Sequence, residues 1–94
     1  MNLYVAHEAA EWYKAEFDLN GQSYVRFYVR YGFGGKVPGF SLAVSRDVPD
    51  DIYASTKVKG VTFFIERSDA WYFDDEDLTI QLGNDKQEPE FIYS

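Results

Sequence analysis

No cysteine occurs among the 94 residues, and that absence removes two kinds of chemistry. There is no disulfide to staple a small fold, and no thiolate to hold a soft metal or an iron–sulfur cluster. Imidazole is almost as scarce, since His7 is the single histidine. A zinc ion would need three further ligands that carboxylates alone rarely supply. As a base for a nucleophile, His7 has no cysteine to serve and no Gly-x-Ser-x-Gly context. It reads as a surface histidine near a helix start, and no metal or other cofactor is expected.

Positive charge is thin as well. Sixteen acids face nine bases, for a formal net charge of −7, and the bases from Lys14 to Lys86 are interspersed rather than clustered. The basic stripe of a nucleic-acid binder is missing, and an anionic membrane surface is disfavoured for the same reason. Long apolar runs are missing too: the longest, Val61 to Ile65, falls far short of the roughly 20 residues that span a bilayer. The start, Met-Asn-Leu-Tyr-Val, has neither the basic opening nor the apolar stretch of a signal peptide. The expectation is a soluble cytoplasmic protein with neither nucleic acid nor membrane as partner.

What is abundant is aromatic surface. Eight Phe, eight Tyr and two Trp make up 19% of the chain, and a well-buried aromatic hides roughly 150–250 Å². Charged residues mostly alternate with apolar ones, so a core can form without staples. The length suits a single domain over residues 1–94.

Asn2 to Val5 reads as a short strand. From His7 to Phe17, Ala9, Trp12, Tyr13 and Phe17 fall at helical spacing, with Glu8, Glu11 and Lys14 on the wet side. Neither Ala6 nor His7 is a good cap, and Asn20-Gly21 is expected to close the helix. Ser23 to Arg30 is the clearest strand: Val25, Phe27 and Val29 share one face, and Tyr24, Arg26, Tyr28 and Arg30 the other. Phe40, Leu42 and Val44 alternate in a further strand. Pro49-Asp50-Asp51 marks a turn, and Lys59-Gly60 a tight hairpin between a strand from Tyr53 and the run Val61 to Ile65. Ser68 is expected to cap a short helix over Asp69 to Phe73. Leu78, Ile80 and Leu82 make one more strand, and Phe91 to Tyr93 a final edge strand. The class is α+β, a mostly antiparallel or mixed sheet with one N-terminal helix and one short helix.

No motif announces catalysis, and the expectation is a protein that is not an enzyme. The loop from Tyr31 to Gly39 is the best candidate for a binding site: Gly32, Gly34, Gly35 and Gly39 permit positive φ and close backbone approach. The plainer account is a long connection that must turn between strands, and without Gly-Lys-Ser/Thr it is no phosphate loop. Asp74-Asp75-Glu76-Asp77 is the densest acidic run, but it lacks the spacing that wraps calcium and reads as a solvated face. The tyrosines at 24, 28, 31 and 93 read more simply as sheet packing than as recognition aromatics.

Tyr24 to Gly32, Gly39-Phe40-Ser41-Leu42 and Val61 to Ile65 together resemble the HesB-like family of A-type iron–sulfur carriers. The likeness is nearest to a short, cysteine-poor branch from Gram-positive bacteria, and covers about Asn2 to Tyr93. It implies a compact distorted β-barrel or sandwich with helices outside. In cluster-carrying members one cysteine sits in the glycine-rich loop, where this chain has Gly34 or Gly35, and a later Cys-Gly-Cys has no counterpart here. The resemblance therefore implies an adaptor or scaffold in iron–sulfur assembly that acts through a protein partner without binding a cluster. It also implies that the glycine loop lies near the tail, so that Phe33, Gly34, Gly35, Lys36 and Tyr93 form the candidate binding surface, with Phe33 and Lys36 presented to the partner. The alternative is an acidic protein-binding inhibitor or nucleic-acid mimic, which needs its carboxylates in rows on one face.

Overall fold

The computed structural model describes residues 1–85 and 87–94; Lys86, one of the interspersed bases, lies outside the described residues. The order is β1 (Leu3–Val5), α1 (His7–Glu16), β2 (Ser23–Tyr31), β3 (Phe40–Arg46), β4 (Ile52–Val58), β5 (Val61–Glu66), a 3-10 helix (Arg67–Tyr72), β6 (Leu78–Leu82) and β7 (Pro89–Tyr93). The strands form two sheets, β3-β2-β5-β4 and β1-β6-β7. Each is mixed: β2 with β5 and β1 with β6 are parallel, and the other neighbours are antiparallel. The α+β sandwich-like expectation holds, and the sheets do not close into a barrel.

Period-two alternation decides which faces meet. Val25 and Phe27 of β2 and Val61, Phe63 and Ile65 of β5 are buried, as are Leu3, Val5, Leu78 and Ile80 from the second sheet. Phe27 and Phe63 stack at 5.8 Å and 11°, and Phe91 of β7 meets Phe27 edge-on at 5.8 Å. Helix α1 joins this cluster through Tyr13, whose ring lies 5.9 Å from Phe27 and 5.8 Å from Phe63. Aromatic pairs at such separations add about 0.5–1.5 kcal/mol beyond area burial.

Two ends of helical segments differ from expectation. Helix α1 closes on Asp18 rather than Asn20-Gly21: Asp18 takes φ 54°, Asp18 N–H donates to Ala15 O, and Leu19 N–H donates to Lys14 O. That is the paired bonding of a left-handed helix stop, with a short polar side chain in place of glycine. The later helix starts at Arg67, is capped by no side chain, and has Glu66 rather than Ser68 at its entry. Glu66 is occupied otherwise, accepting the Asp50 and Asp51 N–H groups at 2.7 and 2.9 Å. The Lys59-Gly60 turn forms as expected, with φ 56° and 81°, the two left-handed positions that match hairpin twist.

The outer face of β2 is not uniformly wet. Arg26 reaches Asp69 of the 3-10 helix at 3.1 Å and Asp47 of the β3–β4 loop at 3.4 Å, so both segments fold over that face. Its Nε is buried without a hydrogen-bond partner among the described residues.

Candidate functional site

The connection between β2 and β3 is the loop the sequence singled out. Gly32 N–H donates to Gly39 O at 3.1 Å and Phe40 N–H to Val37 O at 3.0 Å, which closes its base. Gly35 sits where no side chain fits, because an added Cβ would overlap the Phe40 carbonyl oxygen and the Tyr72 hydroxyl. Gly34 instead faces open space, at φ 82°. One glycine allows close approach and the other a left-handed turn.

Tyr72 anchors this loop from below. Its ring is fully buried, its hydroxyl accepts the Lys36 N–H at 2.6 Å, and the Tyr93 hydroxyl lies 3.4 Å away. The loop therefore does lie beside the C-terminal strand. Phe33, Gly34 and Gly35 line an open cleft of about 310 Å³ with Phe91 and Tyr93.

Of the two side chains expected to face a partner, only one is unengaged. Phe33 is 99% exposed. The Lys36 ammonium instead pairs with Glu76 at 2.8 Å; this hydrogen bond, opposed by partial burial and assisted by the nearby charge, raises its pKa. Lys36 thus ties the loop to the turn before β6. The acidic run is likewise partly used internally: Glu76 holds Lys36, and Asp77 accepts the Asn2 N–H at 2.8 Å. His7 is exposed at the start of α1. Among the described residues no three His, Asp or Glu side chains are grouped to hold a metal ion.

Sequence reasoning set Tyr31 aside as sheet packing and missed Phe40 and Trp71 beside the loop. Tyr31, 81% exposed, stacks on Phe40 at 5.2 Å and 28°. Phe40 meets Trp71 edge-on at 5.2 Å, and Trp71 is 54% exposed. A signal for Trp71 was present. Trp71-Tyr72-Phe73 are consecutive at the end of a 3-10 helix, where three residues complete a turn. They must point three ways, and with Tyr72 and Phe73 buried the tryptophan is turned out. The result is a largely aromatic surface beside the loop, of the residue types that contribute strongly at protein interfaces.

Comparison with known proteins places the chain. It is 46% identical over 94 residues, 99% of both chains, to a protein named pyruvate dehydrogenase inhibitor in Bacillus subtilis (strain 168). The chain belongs to that protein's family. The family extends to an uncharacterised protein of Staphylococcus epidermidis, 35% identical with 99% of this chain and 97% of the relative covered. A further relative from Staphylococcus saprophyticus is 32% identical over 88 residues, with 89% and 90% covered. No protein-family profile matches the chain, and no solved structure matches it. The resemblance to HesB-like carriers, and with it the place in iron–sulfur assembly, is corrected by this result. The phrases that carried it are alternating strands around a glycine turn, and such patterns report local structure rather than descent.

Among the described residues no helix is long and apolar enough to cross a membrane.

Proposed function

We propose that this protein is a single-domain, non-catalytic inhibitor that binds pyruvate dehydrogenase, and that it presents the aromatic surface around the 31–39 loop to that enzyme. The observation that carries the reading is the full-length 46% identity to the Bacillus subtilis protein bearing that name. The site supports it through composition: exposed Phe33, Tyr31 and Trp71 are residue types that anchor protein interfaces, and a loop braced at Gly35 and Lys36 loses little freedom when it docks. Phe33 and the Gly34–Gly35 turn lead the contact, with Tyr93 at the cleft's far side. A cytoplasmic location, where that enzyme would be met, belongs to the same proposal. Asp47, Asp69 and Glu66, the carboxylates around Arg26, are engaged in internal bonds rather than displayed to a partner, and the relative's printed name favours protein inhibition over imitation of nucleic acid.

Titration of the purified protein into the pyruvate dehydrogenase of its own host, with pyruvate turnover as readout, tests the function. Inhibition that saturates with concentration is expected. Combined Phe33→Ala and Trp71→Ala should weaken it at least tenfold at unchanged thermal stability, as loss of a central aromatic anchor worth about 2 kcal/mol implies. Full turnover at saturating protein overturns the function. Undiminished inhibition by the double variant overturns the surface.

A further inference from the structure

Two strand edges face each other across a groove without pairing. The four-stranded sheet ends on β3 and the three-stranded sheet on β7. The 310 Å³ cleft beside the glycine loop separates Ser41 and Leu42 of β3 from Phe91 and Tyr93 of β7. A second cleft, of about 320 Å³, continues it between Val44 of β3 and Pro89 and Phe91 of β7, with Trp12, Tyr13 and Phe17 of α1 also lining it. Phe91 borders both, so the two clefts follow one another along the same pair of strand edges. Their lining also gives the strand directions: moving from Leu42 to Val44 on one side corresponds to moving from Tyr93 towards Pro89 on the other, so the edges run antiparallel.

Hydrogen-bond parity shows what these edges offer. Gly32 N–H donates to Gly39 O in the same register that sets Tyr31 opposite Phe40. Bonded and non-bonded pairs alternate along an antiparallel ladder, so Ser41, Ala43 and Ser45 bond to β2. Leu42 and Val44 then turn their N–H and C=O groups away from it. On β7, Asp77 and Ser94 exchange bonds at 2.7 and 3.0 Å, so Glu90 and Ile92 bond to β6. Phe91 and Tyr93 turn outwards. None of these four N–H groups has an acceptor beyond its own sheet among the described residues. The same four residues line the groove with apolar side chains, so backbone groups and side-chain pockets are offered together.

Charge favours one kind of occupant. Glu16 and Glu88 line the α1 end of the groove, are exposed, and form no salt bridge among the described residues. At the other end the Lys36 charge is already matched by Glu76.

We infer that the β3–β7 groove takes up an extended segment of the partner protein as an added strand, with apolar side chains at alternate positions and a Lys or Arg at the Glu16–Glu88 end. Main-chain bonds to the two edges would supply affinity and the alternating pockets selectivity. An unpaired edge is a liability unless it is used or blocked, and of the two edges only β7 carries a proline, at its first residue. The inference rests on the proposed binding of pyruvate dehydrogenase and specifies how a segment of that enzyme is held.

Residue-resolved amide hydrogen exchange, on the protein alone and in complex with the enzyme, reads this out. Exchange at Leu42, Val44, Phe91 and Tyr93 is expected to slow at least tenfold in the complex. Val44→Pro, which removes an outward N–H at an edge where proline is tolerated, should weaken inhibition at least tenfold, and Val44→Ala less than threefold. If the proline variant does not fold, exchange in the parent protein decides. A complex that forms with all four amides unchanged overturns the groove and leaves the inhibitory function standing; absence of any complex overturns both. A dimer of the free protein that protects the same amides overturns the assigned occupant.

Discussion

The hydroxyls of Tyr72 and Tyr93 lie 3.4 Å apart, joining a buried ring from the 3-10 helix to the C-terminal strand directly beneath the glycine loop. Tyr72 also holds the loop through the Lys36 N–H. One side chain therefore connects three segments that are distant in sequence.

Tyr72→Phe removes this connection while keeping the ring. It leaves the part-buried Lys36 N–H without its acceptor, and an unsatisfied donor shielded from water costs at most about 1–3 kcal/mol. The expected result is a lower denaturant midpoint of that size, with faster amide exchange at Lys36. Unchanged exchange there would show that the loop is held by other means.

The two central glycines should respond differently to alanine. At Gly35 the methyl would overlap Phe40 and Tyr72, and overpacking of this kind costs about 1–3 kcal/mol. At Gly34 nothing lies within 4 Å, so only the left-handed backbone is penalised, by about 1–2 kcal/mol. Stability alone does not separate the two. Amide exchange does: Gly35→Ala should release the Lys36 N–H, and Gly34→Ala should not.

Alkaline pH should weaken the fold. Burial pushes the Tyr13 hydroxyl well above the ordinary tyrosine pKa, and burial followed by the Tyr72 hydrogen bond does the same for Tyr93. In the unfolded chain both ionise near pH 10. Above that pH the unfolded state binds fewer protons than the native state, so the stability is fully present below about pH 10 and is lost as pH rises further. Denaturant midpoints measured from pH 8 to 12 should fall above about pH 10, and less steeply in Tyr93→Phe. An identical slope in that variant would remove Tyr93 as a source.

The faces of β2 can be ranked by mutation. Phe27→Ala deletes a fully buried ring and should cost about 3–5 kcal/mol. Arg30→Ala, on the opposite face and exposed, should stay within about 0.5 kcal/mol. Arg26→Ala falls between them, at about 1–3 kcal/mol, because charge-assisted bonds to Asp69 and Asp47 are lost. Equal losses for Arg26→Ala and Arg30→Ala would show that the covering segments are held without the arginine.

Local patterns were enough for the order of elements, the buried face of β2, the Lys59-Gly60 turn and the glycine loop, because period-two alternation and left-handed turn residues act over a few positions. Absence of cysteine excludes disulfides and thiolate ligands from composition alone. The helix stop at Asp18 was not legible, since asparagine-glycine and aspartate both tolerate the required φ. Nor was the use of Lys36 by Glu76, or the covering of Arg26 by Asp47 and Asp69. Those depend on which segments meet after the sheets assemble, and a charge on an alternating strand looks solvated until something folds over it. The aromatic content foretold a core, but which rings remain outside it was a tertiary matter: Tyr72 is drawn in by hydroxyl partners from two other segments, and Trp71 is left facing water by the turn of a short helix. The facing edges of β3 and β7 are likewise a product of sheet order, because a strand's sequence specifies its faces and only its neighbours determine which edge stays open.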